Sequence, residues 1–208
     1  MWCSDVAITW VTVMVLSVEY VYACLIVNGY KRGETRDTRH VAACKGIYIA
    51  LYAQQQQLDG PAMHEMLTML REVWPDIPHT ALACEYKAGT VWALVEIGDT
   101  HSKSCCTKKL QSSKIVSRPC AHECAVVEGQ VWCPARRDLC IGKERKFSHA
   151  TELLAPIMLN FPVQVSPMAG LFHHKIPLSA VPTDRMTAQQ FNLWQHTTQR
   201  LGNRDRNS

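Results

Sequence analysis

Several familiar chemical signatures are missing from this chain. No Gly-x-Gly-x-x-Gly opens a helix after a strand, and no glycine-rich loop ends in Gly-Lys-Ser/Thr. The first would cradle a dinucleotide and the second the phosphates of a nucleoside triphosphate, so nucleotide-dependent readings lose their usual warrant. Gly-x-Ser-x-Gly is absent, which removes the serine-hydrolase elbow, and His64-Glu65 lacks the second histidine of a His-Glu-x-x-His zinc helix. No internal repeat recurs, so solenoid and propeller architectures are not indicated. No basic segment precedes the first apolar run, which argues against a secretory signal. Charge of one sign is not dominant either: 22 basic and 18 acidic residues leave a net +4, permitting phosphate contact without demanding it.

What is present suits a packed core. At 47% hydrophobic over 208 residues, the chain can fill one domain of generous size. The pattern predicts an α/β or α+β fold, a mixed β-sheet flanked by helices in a single domain. It divides into a β-rich N-terminal segment (1–40), a mixed α/β core (41–160), and an irregular segment with a C-terminal helix (161–208).

The run Ala7 to Val27 is apolar for about the length of a spanning helix, and Lys31, Arg32, Arg36 and Arg39 follow it. Glu19 interrupts it, and strand-forming Val, Ile, Thr and Tyr dominate. Asn28-Gly29 then signals a hairpin turn. One or two buried strands over Ile8–Val27 are therefore expected, with a membrane anchor at 7–27 as the alternative. Tyr30–His40 reads as a charged, exposed arm, and Gly46–Tyr52 as a buried strand.

Asp59-Gly60-Pro61 opens the clearest helix, with a capping residue and a proline suited to its first turn. Met63, Met66, Leu67, Leu70, Val73 and Trp74 make its apolar face; His64, Glu65, Thr68, Arg71 and Glu72 fall off that face. Strands are predicted at Thr80–Tyr86 and Thr90–Ile97, followed by a long basic loop over Asp99–Arg118 carrying Lys103, Lys108, Lys109, Lys114 and Arg118. Short strands near Gln130–Cys133 and Leu139–Ile141 and a short helix at Ala150–Leu154 come next. Pro156–Pro182 reads as irregular. Thr187 with Gln190 forms a capping box for the last helix, to about Leu201.

Chemistry concentrates in the cysteines. Of ten, six lie between Cys105 and Cys140. Disulfide scaffolds are typically shorter chains, and clustering around a histidine favours thiolate chemistry in a reducing compartment. A cytoplasmic location is expected, with a membrane-anchored one as the alternative. Pro119-Cys120-Ala121-His122-Glu123-Cys124 is the densest knot, a place where a soft metal can be held. A zinc-activated water needs three protein ligands, one open position and a carboxylate to move protons. Cys120 and Cys124 could supply two thiolates from one face of a helical turn. His64 and Glu65, in the first turn of their helix, are the candidates for third ligand and carboxylate; Cys84-Glu85 is a rival pair.

This arrangement resembles the zinc-dependent nucleoside and nucleobase deaminase superfamily. Its members carry His- or Cys-x-Glu at one helix start and Pro-Cys-x-x-Cys at the next. Gly60–Glu65, Val95–Gly98, Ser117–Cys120 and Glu152-Leu153-Leu154 with Pro156 follow a similar order over roughly residues 40–160. His64 and Glu65 are adjacent where the family has one residue between them, and three residues separate the cysteines where two are usual. The resemblance implies a hydrolase that deaminates a cytosine-type base, with zinc on His64, Cys120 and Cys124 and Glu65 shuttling protons. A nucleoside or a single-stranded nucleic acid would then be the substrate.

A second reading stands beside it. Cys120, His122, Cys124 and either Cys133 or Cys140 could close a four-ligand structural zinc site. The chain would then be a non-catalytic, zinc-stabilised interaction protein that binds a protein partner through its basic loop and apolar surfaces. A membrane-anchored protein is the third reading.

Overall fold

The computed structural model describes residues 9–36, 41–55, 59–73, 75–102, 125–127, 130–132, 149–154, 156–166 and 168–205. The elements run β1 (Trp10–Val18), α1 (Tyr20–Val27), β2 (Gly33–Arg36), β3 (Tyr48–Ala53), α2 (Gly60–Val73) and β4 (Thr90–Ser102). They continue with β5 (Ala125–Val127), β6 (Gln130–Trp132), β7 (His149–Leu153), β8 (Ile157–Gln164), β9 (Leu171–Pro177) and α3 (Ala188–Asp205). Seven strands form one sheet in the order β2-β7-β4-β3-β1-β9, with β8 also paired to β4. β1 and β3 are parallel, and the other pairings in this sheet are antiparallel. The mixed sheet flanked by helices is the architecture the sequence predicts.

The layers follow from the strands' alternation. Every residue of β3 is buried, as a strand covered on both faces requires. Its Tyr48, Ala50 and Tyr52 join Val13, Val15, Val91 and Phe172 on one face, where Trp194 of α3 packs. Its Ile49, Leu51 and Ala53 join Leu16, Val18 and Trp92 on the other, against Tyr20, Ala23 and Cys24 of α1. The opposite side of α1 presents Val21 and Leu25 to Leu67 and Leu70 of α2. α1 is thus sandwiched between the sheet and α2, and a helix buried all round is apolar all round.

That sandwich accounts for the apolar run at 7–27. It is not one or two strands but β1 followed by α1, and its second half is apolar because α2 covers what the sheet does not. Among the described residues, no helix is long and apolar enough to cross a membrane. Asn28-Gly29 does not turn a hairpin; it ends α1. Gly29 has φ of 79°, and the Tyr30 and Lys31 amides donate to the Leu25 carbonyl at 2.9 and 3.0 Å. A helix C-terminus and a hairpin make the same demand for a left-handed residue, so the dipeptide alone does not separate them.

Three further expectations are corrected. Thr80–Tyr86 is not a strand: a 3-10 turn at His79–Leu82 buries Ala81 and Leu82 against α1. Asn28 holds it there, donating through Nδ2 to the Ala81 and Ala83 carbonyls at 3.1 and 3.0 Å. Ala150–Leu154 is not a helix but most of β7, held between β2 and β4, where Thr151 and Leu153 are buried with a period of two. Pro156–Pro182 is not irregular; it contains β8 and β9. Its prolines sit where the ladder tolerates them, Pro162 in a bulge and Pro177 at a strand end.

The bulge shapes the molecule's surface. Val91 pairs with Val163 but Ala93 with Met158, so residues 159–162 stand opposite Trp92 alone. The extra residues arch away from β4. Asn160 in that arch donates to the Ser179 and Val181 carbonyls, just beyond β9, and accepts from Arg185 at 2.7 Å. The Gly46–Tyr52, Thr90–Ile97 and Gln130–Cys133 predictions correspond to β3, β4 and, as far as Trp132, β6, whereas the arm predicted at Tyr30–His40 contains β2 and buries Lys31 and Glu34. The Thr187–Gln190 capping box is reciprocal, at 2.8 and 3.2 Å. The predicted strand at Leu139–Ile141 lies outside the described residues.

Replacing Gly29 by Val places a β-branched residue in the left-handed region with no new contact to offset the strain, since no other atom stands within 4 Å of the added carbon. Urea unfolding should show a loss of about 1–2 kcal/mol with an unchanged m value.

Candidate functional site

α2 begins as the sequence predicts, with Asp59 Oδ1 accepting from the Ala62 amide at 2.9 Å. Met63 and Met66 turn inward against the α1 cluster, so His64 and Glu65 are left on the exposed face. The structure therefore places the two upstream members of the expected zinc constellation on the outermost helix, separated from the sheet by α1. Cys120, His122, Cys124, Cys133 and Cys140 lie outside the described residues, as do Cys105, Cys106 and the lysines of the basic loop. The chain directly after Cys124 is extended, as β5 pairs antiparallel with β6. Among the described residues, no three His, Cys, Asp or Glu side chains gather where they could hold a metal.

The rival pair is not in a strand. Cys84 is half-buried just beyond the 3-10 turn, and Glu85 is exposed. Cys84 belongs to a small buried group with Cys24 and Tyr20, whose phenol lies within hydrogen-bonding reach of the Cys24 thiol and the Cys84 backbone. Burial pushes the Cys24 thiol up to about 12, and it likewise raises those of Cys84 and Cys44. Thiols held in the protonated form this way are poor nucleophiles.

Sequence reasoning missed a buried charge. Lys31 and Glu34 sit in the arm expected to be exposed, yet both are buried. Lys31 Nζ donates to the Gly33 carbonyl, lies 3.7 Å from Glu34, and stands 5.6 Å from the centre of the Tyr22 ring. A buried ammonium needs such partners, and the i,i+3 spacing of opposite charges was the only trace of them in the sequence.

One hollow of the described surface lies elsewhere. The sheet curls so that its edge strands β8 and β9 line one depression of about 640 Å³. Trp10 at the start of β1 and Phe161 in the β8 bulge border it, 52% and 41% exposed. Gln164, His174 and Lys175 are its polar lining residues, and among the described residues no carboxylate lines it. His173 and His174 point apart, as adjacent strand residues must, with His173 exposed and His174 half-buried. Burial lowers the His174 pKa and favours its neutral form, so the positive charge of the hollow belongs to Lys175. The bulge and its proline gave the hollow no signature in the sequence, where this segment reads as irregular.

No protein-family model matches the chain, and no curated protein matches it.

Iodoacetamide labelling read by peptide mass spectrometry should modify half-buried Cys84 before Cys24 or Cys44, which react only on unfolding. The Cys24 thiol rises from 9.0 to about 12 on folding, so its share of stability is intact below pH about 9 and is lost as pH rises towards 12. Chemical unfolding across that window should show stability falling with pH, and Cys24→Ala should flatten the slope.

Proposed function

We propose that this chain is a non-catalytic interaction protein that recruits a protein partner. The observation that carries this reading is the hollow between β8 and β9, bordered by the exposed aromatic rings of Trp10 and Phe161. Large aromatic side chains around a depression are the usual anchors of protein recognition. His64 and Glu65, by contrast, do not line this hollow, and the extended chain at β5 stands where the deaminase resemblance implies a helix. Zinc bound through Cys120, His122, Cys124 and Cys133 or Cys140 would stabilise the cysteine-rich segment; this part of the proposal rests on the spacing of those residues. The reduced thiols of Cys24 and Cys84 support a cytoplasmic location, where thiols stay reduced.

Zinc content and ammonia release separate this reading from the deaminase. On the interaction reading, purified protein retains zinc after His64→Ala and loses it after Cys120→Ser or His122→Ala. Ammonia release from cytidine or from a deoxycytidine-containing single strand stays at background and is the same in Glu65→Gln. Zinc loss on His64→Ala, together with ammonia release abolished by Glu65→Gln, would establish the deaminase instead.

A further inference from the structure

We propose that the hollow between β8 and β9 docks an extended acidic segment of a partner protein, with an apolar side chain between Trp10 and Phe161 and a carboxylate on Lys175. This rests on the interaction reading above and names the chemistry of the partner.

Three features of the hollow select that occupant. The first is its shape. It runs between two strand edges, and about 640 Å³ accommodates a few side chains of a short segment, within the range of ordinary ligand clefts. The second is its backbone. Pro162 and Pro177 both line it, and neither has an N–H to offer, so addition of a further hydrogen-bonded strand is disfavoured at these points. The occupant is held by its side chains. The third is charge. Lys175 is exposed at the hollow, burial favours the neutral form of His174 beside it, and among the described residues no carboxylate lines the site to compete for the ammonium. An acidic segment meets a complementary field, while a basic one meets repulsion that nothing in the lining offsets.

The aromatic border supplies the affinity in this scheme. Trp10 and Phe161 come from β1 and from the bulge of β8; Asn160 ties the bulge to the Ser179 and Val181 carbonyls, and the same segment is held beside Trp10 by the Leu178 amide donating to the Thr9 carbonyl. The bulge holds Phe161 in place before the partner arrives, so little ordering cost remains at the moment of docking.

Fluorescence anisotropy of the full-length protein with fluorescein-labelled Glu-Asp-Leu-Phe-Glu-Asp-Leu, against its counterpart Lys-Lys-Leu-Phe-Lys-Lys-Leu, tests the proposal. The acidic peptide should bind in preference. Trp10→Ala should weaken it about tenfold or more, and Lys175→Glu at least about fivefold with a swing toward the basic peptide. Both positions are exposed, and circular dichroism confirms that the variants stay folded. Equal binding of the two peptides, or preference for the basic one, with loss on Trp10→Ala would overturn the acidic partner and leave the interaction reading standing. Binding of neither peptide, or binding indifferent to Trp10→Ala and Phe161→Ala, would overturn both. Sedimentation velocity supplies the remaining outcome: self-association lost with Trp10→Ala would assign the hollow to a second copy of this chain and overturn the peptide.

Discussion

Burial of β3 on both faces is the constraint on which the rest of the fold depends. A strand with six buried residues cannot leave either side to water, so each face needs its own helical cover. α1 supplies one, entering directly from β1, and α3 supplies the other from the far end of the chain. The parallel pairing of β1 with β3 belongs to the same solution. Parallel neighbours need a crossover between them, and α1 lies in that crossover. Once α1 lies on the sheet, its outer side is apolar and must itself be covered, which is the place α2 takes.

The surface features follow from how the sheet ends. β4 carries both β7 and β8 on the edge away from β3, and the two are separated by Leu154–Pro156. The bulge beyond Met158 lifts Phe161 out of the ladder and toward the far edge, where Asn160 ties it to the turn after β9. A sheet whose edges approach in this way has less exposed ladder than a flat one. The prolines at both edges remove further donors from the approach. What would otherwise be two sticky edges becomes a shallow, side-chain-lined hollow in which Lys175 is the one cation among the described lining residues.

Buried polar chemistry elsewhere is structural in character. Cys24 of α1 and Cys44 lie in the core between α1 and the sheet, with Cys44 Sγ 3.2 Å from Met14 Sδ. The Lys31–Glu34 pair lies beside Tyr22, where it closes the chain after α1. Such groups hold conformation through specific partners, and desolvation makes them unreactive. The Tyr52 hydroxyl and the Trp194 indole N–H are buried where α3 meets the sheet, with no hydrogen-bond partner among the described residues. Each costs stability relative to a satisfied group, so this interface is held by its apolar contacts rather than by its polar atoms.

Much of this was legible in the amino-acid order, because it depends on neighbours close along the chain. Asp59 capping α2, the Thr187–Gln190 box at α3, the continuous apolar run of β3 and the period of β4 are local patterns with local causes. The same locality explains the errors. Asn28-Gly29 specifies a left-handed residue, and only the α1 contacts decide that it caps a helix. His149–Leu153 and the proline-rich stretch after it carry weak local preferences, and pairing with β2, β4 and β1 makes them strands. The proposed zinc ligands rest on spacing alone. By itself the sequence determined the mixed class, the long helices and the buried centre of the sheet, since apolar periodicity encodes which faces must leave water. Tertiary structure alone decided that α1 would be enclosed, that the helix carrying His64 and Glu65 would lie outside it, and that Trp10 and Phe161 would line one hollow. Those outcomes depend on packing between segments far apart in the chain, and no local pattern records it.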